Sequence, residues 1–257
     1  MDSETILCEK KGRITYITLN RPEVLNAINN TLRRELLAAV EEFDRDEEAW
    51  VAILSGAGRA FCSGGDVKDR ERPDPRLVHG PGMLPASNLL LSCTNGKPVI
   101  AAVHGYAVGG GLFYTLACDL AVAADNTKFQ FTEVARGLGG GGGWASLWFW
   151  GGAKFASEMS IIPRLFSAQE AYQFGMINRV VPLGQQVAEA ESLAEDIMSY
   201  PQESVRAQVR ISRWYAQRAT EEASLYTSAL RTAGRSEDRA EYDRAFLEKR
   251  KPVFKDR

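Results

Sequence analysis

Apolar and polar residues follow two different periods along the first half of this chain. Residues 14–19 alternate as a strand with one buried face does, and residues 51–54 and 99–103 are apolar runs of buried-strand length. A helical spacing lies between the first two of these segments, with an apolar stripe formed by Leu32, Leu36, Leu37, Val40 and Phe43. Residues 29–31, Asn-Asn-Thr, are candidate caps for that helix. Strands and helices that follow one another over short connections predict an α/β fold.

The last third of the chain shows helical periodicity. Helices are predicted over residues 186–200, from residue 202 to about residue 218, and over residues 236–249. Pro201 separates the first two, because proline cannot continue a helix interior. The chain is therefore predicted to end in a helical segment.

Composition and charge narrow the function classes. The 257 residues carry a formal charge of −2, which gives no electrostatic reason to expect a nucleic-acid partner. The four cysteines are widely spaced and the chain has two histidines, so we expect no metal site. The first ten residues lack an apolar signal core, and no apolar run reaches membrane-spanning length. We therefore expect a cytoplasmic protein with no membrane partner.

One segment in the middle of the chain carries candidate chemistry. The apolar strand at residues 99–103 leads into Gly109, Gly110 and Gly111, which open an apolar helix. Glycines at a helix start let a ligand approach closely, and the free N–H groups there favour negative charge. Glu133 follows in an otherwise apolar and aromatic segment. These features indicate enolate chemistry, in which the turn binds the oxyanion and the carboxylate transfers the proton.

A second turn of small residues fits the same chemistry. Residues 60–66 follow the strand at 51–54, and we expect the backbone N–H of Ser63 to be its donor. Two such turns would supply the two donors of an oxyanion hole. Each feature also has a purely structural interpretation: a Gly-rich strand end is usually a turn, and Glu133 is compatible with an exposed loop or a helix N-terminus.

With these features in order, the chain resembles the crotonase superfamily, also called the enoyl-CoA hydratase/isomerase family, over essentially its full length. The matching motifs are NRPEVLNAI from residue 20, RAFCSGGD from 59, KP at 97, AAVHGYAVGGG from 101, CD at 118, FTE at 131, the Gly-rich run from 137 and FLEKRKPVF from 246. The resemblance implies a crotonase-type ββα superhelix at residues 1–197 and a C-terminal helical oligomerisation module at residues 198–257. It also implies a homotrimer, or a homohexamer built as two trimers.

The resemblance further implies an acyl-CoA thioester substrate and no cofactor apart from the CoA that the substrate carries. It assigns the oxyanion donors to Ser63 and Gly110 and the later catalytic glutamate to Glu133. The earlier glutamate of family hydratases falls on Phe113, which cannot carry a proton. A single carboxylate is sufficient to move a proton between two carbons, so isomerase-like chemistry is the leading hypothesis. The alternatives are a hydratase or hydratase-lyase acting on a bulky or aromatic acyl-CoA, and a non-catalytic acyl-CoA-binding protein.

Substrate contacts are implied by position in the same motifs. The predicted substrate-binding residues are Val24, Leu25, Ala60, Gly64, Gly65, Asp66, Phe113, Gly141, Trp144, Lys249 and Phe254. The loop predicted at residues 71–85, which contains His79, is expected to form a flap over the acyl tail. His79 itself is more simply explained as a solvated loop residue than as a base.

Overall fold

Six strands form the main sheet of the computed structural model, which describes residues 3–66, 89–90, 93–137, 140–229 and 237–255. Their order across the sheet is β1-β2-β3-β4-β6-β9, and only the β1–β2 pair within it is antiparallel. The strands are β1 (Ile6–Lys11), β2 (Ile14–Leu19), β3 (Val51–Gly56), β4 (Val99–Val103), β6 (Leu120–Ala124) and β9 (Arg179–Val181). The two central strands β3 and β4 are buried on both faces, as their continuous apolar sequences predict.

A smaller sheet lies beside the carboxyl end of β4. It contains β5 (Tyr106–Val108), β7 (Lys128–Gln130) and β8 (Phe166–Ser167), with β5 and β7 parallel. An isolated parallel bridge, Cys62↔Ala107, joins the segment after β3 to this sheet, and a second one, Ile28↔Gly65, joins the same segment to the chain before α1. The chain that follows β3 is therefore held against the chain that follows β4.

Helices cover the sheets, and in the first two-thirds of the chain α1 and α2 begin where the sequence predicts. The helices of the first two-thirds are the 3₁₀ turn η1 (Pro22–Val24), α1 (Asn30–Arg45), α2 (Gly110–Ala117), α3 (Gly141–Gly151), α4 (Ala153–Ile161) and α5 (Ala168–Gln173). The Asn29 side chain caps α1 by accepting a hydrogen bond from the Leu32 N–H at 2.8 Å. The predicted stripe on α1 is buried apart from Leu37, which is half-buried, so the expected helix and its inward face are confirmed.

The C-terminal part of the chain forms α6 (Gln186–Met198), α7 (Gln202–Ala229) and α8 (Glu237–Leu247). The sequence predicts that α7 ends at about residue 218, but the helix continues to Ala229, so the prediction misses about two-fifths of its 28 residues. Beyond that point the helix continues along α3, where the Thr220 and Ser146 hydroxyl oxygens are 3.4 Å apart. A hydrogen-bonded ion pair between Arg213 and Asp119, Nε to Oδ1 at 2.8 Å, fixes α7 to the end of α2.

The mixed α/β class predicted from the sequence is confirmed by this arrangement. Among the described residues, none of the helices is both long and apolar enough to cross a bilayer. The same part of the chain contains no cluster of three or more His, Cys, Asp or Glu side chains suited to a metal ion.

Candidate active site

The N-terminus of α2 offers the first candidate donor. Gly109 is fixed beside β7, since its N–H donates to the Gln130 carbonyl at 2.9 Å, and its own carbonyl accepts from the Phe113 N–H at 3.1 Å. Gly110 is the first residue of the helix, so its N–H has no acceptor within the helix. Gly110 is half-buried, which leaves this N–H accessible to a ligand.

The second candidate donor is Gly65, which replaces Ser63 in the prediction. The Ser63 N–H donates to the Leu25 carbonyl at 2.9 Å and is therefore already bonded within the protein. Gly65 pairs with Ile28 in a parallel bridge, in which Ile28 bonds to the Gly64 carbonyl and the Asp66 N–H. This pattern turns the N–H of Gly65 itself away from Ile28. Gly65 is exposed, and its N–H has no acceptor within the described part of the chain.

The two turns that carry these donors lie directly against each other. Gly64 has φ of 90°, and a methyl group there would lie 2.7 Å from the Val108 carbonyl oxygen and 3.4 Å from the Gly110 nitrogen. A methyl group on Gly110 would lie 3.9 Å from the Gly65 nitrogen. Glycine is therefore required at position 64, both for its backbone conformation and for this close approach. The result is a pair of accessible N–H groups, Gly65 and Gly110, at one junction.

Glu133 lies beside this junction and is 4% exposed. The preceding residue, Thr132, sits against α2, because a methyl group on Gly109 would be 2.8 Å from its hydroxyl oxygen. The Thr132 N–H donates to Glu133 Oε2 at 2.9 Å. Burial raises the pKa of Glu133, and the backbone hydrogen bonds and the nearby Arg136 charge oppose that rise. A carboxyl group with a raised pKa is better matched to proton transfer near neutral pH than an exposed one.

Phe113 occupies the wall of α2 facing the segment that carries Glu133. Its ring is 3% exposed and meets the Phe131 ring edge-on, with centroids 5.8 Å apart. Gly143 on α3 completes the wall, since a methyl group there would overlap both rings. A glutamate at position 113 would therefore be surrounded by apolar groups. The wall as it stands supplies no second proton-transfer group.

Arg136 is a site residue that sequence reasoning missed. It ends the turn that begins at Thr132, and its backbone N–H lies 3.1 Å from both the Thr132 and Glu133 carbonyl oxygens. A methyl group on Gly65 would lie 3.9 Å from Nη1 of Arg136, so the guanidinium reaches the second donor turn. Its only sequence signal is the spacing Glu133-x-x-Arg136, which is also typical of an ordinary helical ion pair.

The predicted CoA contacts near the N-terminus are brought to the turn at residues 63–66. Ser63 bonds to both carbonyls of the predicted pair, with its hydroxyl donating to the Val24 oxygen at 3.3 Å and its N–H donating to the Leu25 oxygen. The Ala60 carbonyl accepts from the buried Asn26 side chain at 2.8 Å. These contacts place the predicted residues together and give them structural roles within the turn.

Asp66 at the end of that turn pairs with Arg21 at 3.1 Å, and their side chains are 14% and 17% exposed. A guanidinium that bridges the two segments fixes the turn relative to η1. The carboxylate thus has a protein partner of its own.

Gly141 and Trp144 lie on α3 with different surroundings. Gly141 is the first residue of α3, and the adjoining Gly140 is close enough to Glu133 that a methyl group there would lie 2.9 Å from its Cβ. Trp144 is 37% exposed, and its described contacts are a 3.4 Å hydrogen bond to Ser157 and stacking on Trp148. The structure therefore brings Gly141 to the site, whereas the contacts of Trp144 lie elsewhere on α3 and α4.

The last two predicted contacts lie after α8. Lys249 is exposed with φ of 54° and ends the helix, because the Arg250 N–H bonds back to the Ala245 carbonyl. Phe254 is 53% exposed. The predicted flap at residues 71–85, with His79, falls outside the described residues.

Comparison with known proteins supplies independent evidence for the family to which this chain belongs. The family model described as enoyl-CoA hydratase/isomerase matches residues 9–257. A probable enoyl-CoA hydratase of Mycobacterium tuberculosis is 35% identical over 266 residues, covering 99% of both chains. The (E)-benzylidenesuccinyl-CoA hydratase of Thauera aromatica is 34% identical over 253 residues, covering 97% of this chain and 98% of its own. A solved carnitinyl-CoA dehydratase from Mycobacterium avium superposes with a TM-score of 0.83 at 33% identity, covering 98% of this chain and 99% of that one.

Proposed function

This chain belongs to the enoyl-CoA hydratase/isomerase family and has the crotonase-type fold, and from that premise we propose that it is an isomerase-like enzyme with one proton-transfer carboxylate. The family acts on acyl-CoA thioesters. In this proposal the backbone N–H groups of Gly65 and Gly110 bind the thioester oxygen as it becomes an enolate oxyanion. Glu133 removes and returns the proton.

The observation that carries the proposal is the juxtaposition of two accessible N–H groups with one buried carboxylate. The turns of Gly65 and Gly110 are in contact, and Glu133 lies on the segment that packs against the same helix start. Donors aimed at developing negative charge supply the largest part of catalysis in such sites, and loss of one typically costs about 10²–10³ in rate.

A single carboxylate sets the reaction class. In the migration of a double bond, Glu133 takes a proton from C2 of a 3-enoyl thioester and the electrons delocalise onto the thioester oxygen. The carboxyl proton of Glu133 exchanges with solvent in this intermediate, and Glu133 then delivers a proton to C4. The product is the 2-enoyl thioester, and Glu133 is restored. No cofactor besides the CoA of the substrate is needed, since electrons and protons balance within the acyl group.

Hydration is the second candidate, because the relatives described above are named as hydratases. Water addition needs one group to activate water and another to protonate the α-carbon, and two carboxylates divide that work. The apolar environment of Phe113 supports the single-carboxylate reaction over hydration. A hydratase-lyase or a non-catalytic acyl-CoA-binding protein would share the same binding site but differ in turnover.

We also propose that the active assembly is a trimer, or a hexamer of two trimers. Aromatic side chains exposed on α3 and α7 support this, with Trp148 45% exposed and Trp214 51% exposed, since apolar patches of this kind mark interaction surfaces. In such an assembly Lys249 and Phe254 after α8 would contact CoA of the same or a neighbouring subunit. Light scattering on the protein as it elutes from a size-exclusion column gives the molar mass of the assembly, and hence the number of subunits.

The experiment that tests the proposed function is α-proton exchange in D₂O, followed by mass spectrometry, on saturated, 2-enoyl, 3-enoyl and aryl acyl-CoAs. Glu133→Gln keeps the shape of the site without the titratable group, and Glu222→Gln, a 67% exposed position on α7, is the matched control. We expect deuterium uptake by the wild type and the control and its loss in Glu133→Gln, with CoA binding retained. Full exchange by Glu133→Gln would disprove the assigned role, and CoA binding without exchange by any form would indicate a non-catalytic binder.

A further inference from the structure

Arg136 is held at the junction of the candidate site by its own backbone. The turn from Thr132 to Arg136 closes through hydrogen bonds from the Arg136 N–H, so the position of this residue is tied to that of Glu133. Nη1 of Arg136 lies 3.9 Å from the point where Gly65 would carry a methyl group. The guanidinium is therefore close to the Gly65 turn, and its charge also lowers the pKa of Glu133.

Among the described residues, the guanidinium of Arg136 forms no ion pair, although its charge acts on Glu133. The side chain is half-buried, and no residue in the described ranges forms a hydrogen bond or an ion pair with its guanidinium. Two other sheltered arginines show the usual arrangement: Arg21 pairs with Asp66 at 3.1 Å, and Arg213 pairs with Asp119. A sheltered cation without an anion is costly, because desolvation is not offset by Coulombic attraction.

We propose that Arg136 binds a second carboxylate on the acyl group, so that the substrate is the CoA thioester of a short dicarboxylic acid. The inference rests on the proposed function, because it places the thioester oxygen at Gly65 and Gly110. A guanidinium presents a planar fork of donors that matches a carboxylate in a bidentate manner. The anion is part of the acyl group rather than of the nucleotide, because the pantetheine arm separates the CoA phosphates from the thioester by its full length.

The surrounding walls make the guanidinium the determinant of specificity. Phe113, Phe131 and Ile28 line the junction with apolar groups, and the Ile28 Cδ1 lies 2.6 Å from where Gly110 would carry a methyl group. An acyl chain that ends in carbon would cover Arg136 and remove its water without replacing the lost hydrogen bonds. An acyl chain that ends in a carboxylate restores them, and a hydrogen bond to a charged group corresponds to about 10- to 100-fold in binding or rate.

The test compares two acyl-CoAs of nearly the same shape in the D₂O exchange assay. Glutaryl-CoA carries the carboxylate, and 5-methylhexanoyl-CoA replaces it with an isopropyl group; succinyl-CoA and 4-methylpentanoyl-CoA form a shorter pair. The readout is the ratio of kcat/KM within each pair. We expect the wild type to favour the carboxylate by at least tenfold in one pair, and Arg136→Gln to reduce that ratio by about 10- to 100-fold. Arg136→Lys should keep part of the preference, because it retains the charge and loses the fork.

Controls separate this inference from the proposed function and from misfolding. Arg218→Gln removes an arginine that is 64% exposed on α7 and should leave the ratio at the wild-type value. Melting temperature and CoA affinity report whether each variant is folded. If folded Arg136→Gln keeps the wild-type ratio of kcat/KM within each pair, the inference is overturned. This holds even if kcat/KM falls equally for both substrates of a pair, because an equal fall means that the guanidinium stabilises the enolate and does not bind a carboxylate. If neither the wild type nor Glu133→Gln exchanges the α-proton of any thioester, the proposed function is overturned instead.

Discussion

Replacement of Phe113 by glutamate is the most direct test of why this site has one carboxylate. Phe113 stands where the resemblance to family hydratases places their earlier glutamate, on the wall of α2 that faces the segment of Glu133. We expect Phe113→Glu to gain weak hydration of crotonyl-CoA and Phe113→Gln, its neutral isostere, to gain none. The second carboxylate should also raise the pKa of Glu133 further, because two like charges in one pocket disfavour ionisation.

The structure sets the stability cost of this change. Phe113 is 3% exposed, and a buried phenylalanine removes roughly 150–250 Å² from water. At about 25 cal/mol per Å² this burial contributes about 4–6 kcal/mol, in line with about 3–5 kcal/mol for truncation of a buried phenylalanine to alanine. Phe113→Gln keeps part of the side-chain volume and should cost about 2–4 kcal/mol, and Phe113→Glu should cost more once its carboxylate ionises. Each kcal/mol lowers the Tm by about 2–4 °C for a chain of this size.

The assay follows loss of the conjugated enoyl thioester at low temperature, with circular dichroism and CoA affinity measured on each variant. General acid–base groups contribute about 10²–10⁴ when well placed, so a poorly supported glutamate should still exceed Phe113→Gln by about tenfold. The reasoning is refuted if the wild type hydrates crotonyl-CoA and folded Phe113→Gln hydrates it equally fast. In that case hydration in this enzyme does not depend on a second carboxylate at position 113.

Three further predictions concern stability. Burial raises the pKa of Glu133, so the folded protein holds this proton more tightly than the unfolded chain, and wild-type stability falls as pH rises above the ordinary carboxyl pKa. The Tm of Glu133→Gln should therefore exceed that of the wild type near neutral pH, and the difference should vanish by about pH 4 in a thermal-melt series. Gly143→Ala should lower stability by about 1–3 kcal/mol in urea unfolding, because its methyl group would overlap the rings of Phe113 and Phe131. Asp119→Asn should cost about 3–5 kcal/mol in the same assay, since Arg213 would lose its carboxylate at a site where the two side chains are 10% and 16% exposed.

Each of these has a clear contrary result. A Tm difference for Glu133→Gln that is constant across pH would mean that the carboxyl group titrates at its ordinary pKa. Wild-type stability in Gly143→Ala would mean that α3 does not press against the aromatic wall. A loss in Asp119→Asn no larger than that of an exposed control, such as Glu222→Gln, would mean that α7 is held by packing alone.

Much of the fold follows from local sequence patterns. Several features could be predicted because each is determined by residues that are neighbours in the sequence. They are the apolar stripe on α1 with its Asn29 cap, the buried strands β3 and β4, and the glycines that begin α2. The α7 helix was predicted too short because its second half is stabilised by contact with α3 rather than by its own pattern. The contact between Thr220 and Ser146 involves small polar side chains, which add nothing to an apolar periodicity.

The candidate oxyanion donor was predicted two residues too early for a related reason. Ser63 and Gly65 lie in the same small-residue turn, on either side of Gly64, whose φ of 90° breaks the regular alternation of an extended segment. Which of them faces the ligand is decided by the pairing of this turn with Leu25 and Ile28, far away in the sequence. Arg136 was missed because its role depends on Gly65, a neighbour only in space.

The wall that contains Phe113 also explains why one mutation should not rebuild a hydratase fully. Phe113 and Phe131 meet edge-on, and Gly143 leaves the room that the two rings fill. Packed groups of this kind couple energetically, so the effects of substitutions within them do not add. A glutamate at 113 alone leaves a gap beside Phe131, and its carboxylate has no donor to hold it in one orientation. The activity of Phe113→Glu should therefore remain far below that of a site with two supported carboxylates, and pairing it with a polar replacement of Phe131 should raise hydration more than either change alone.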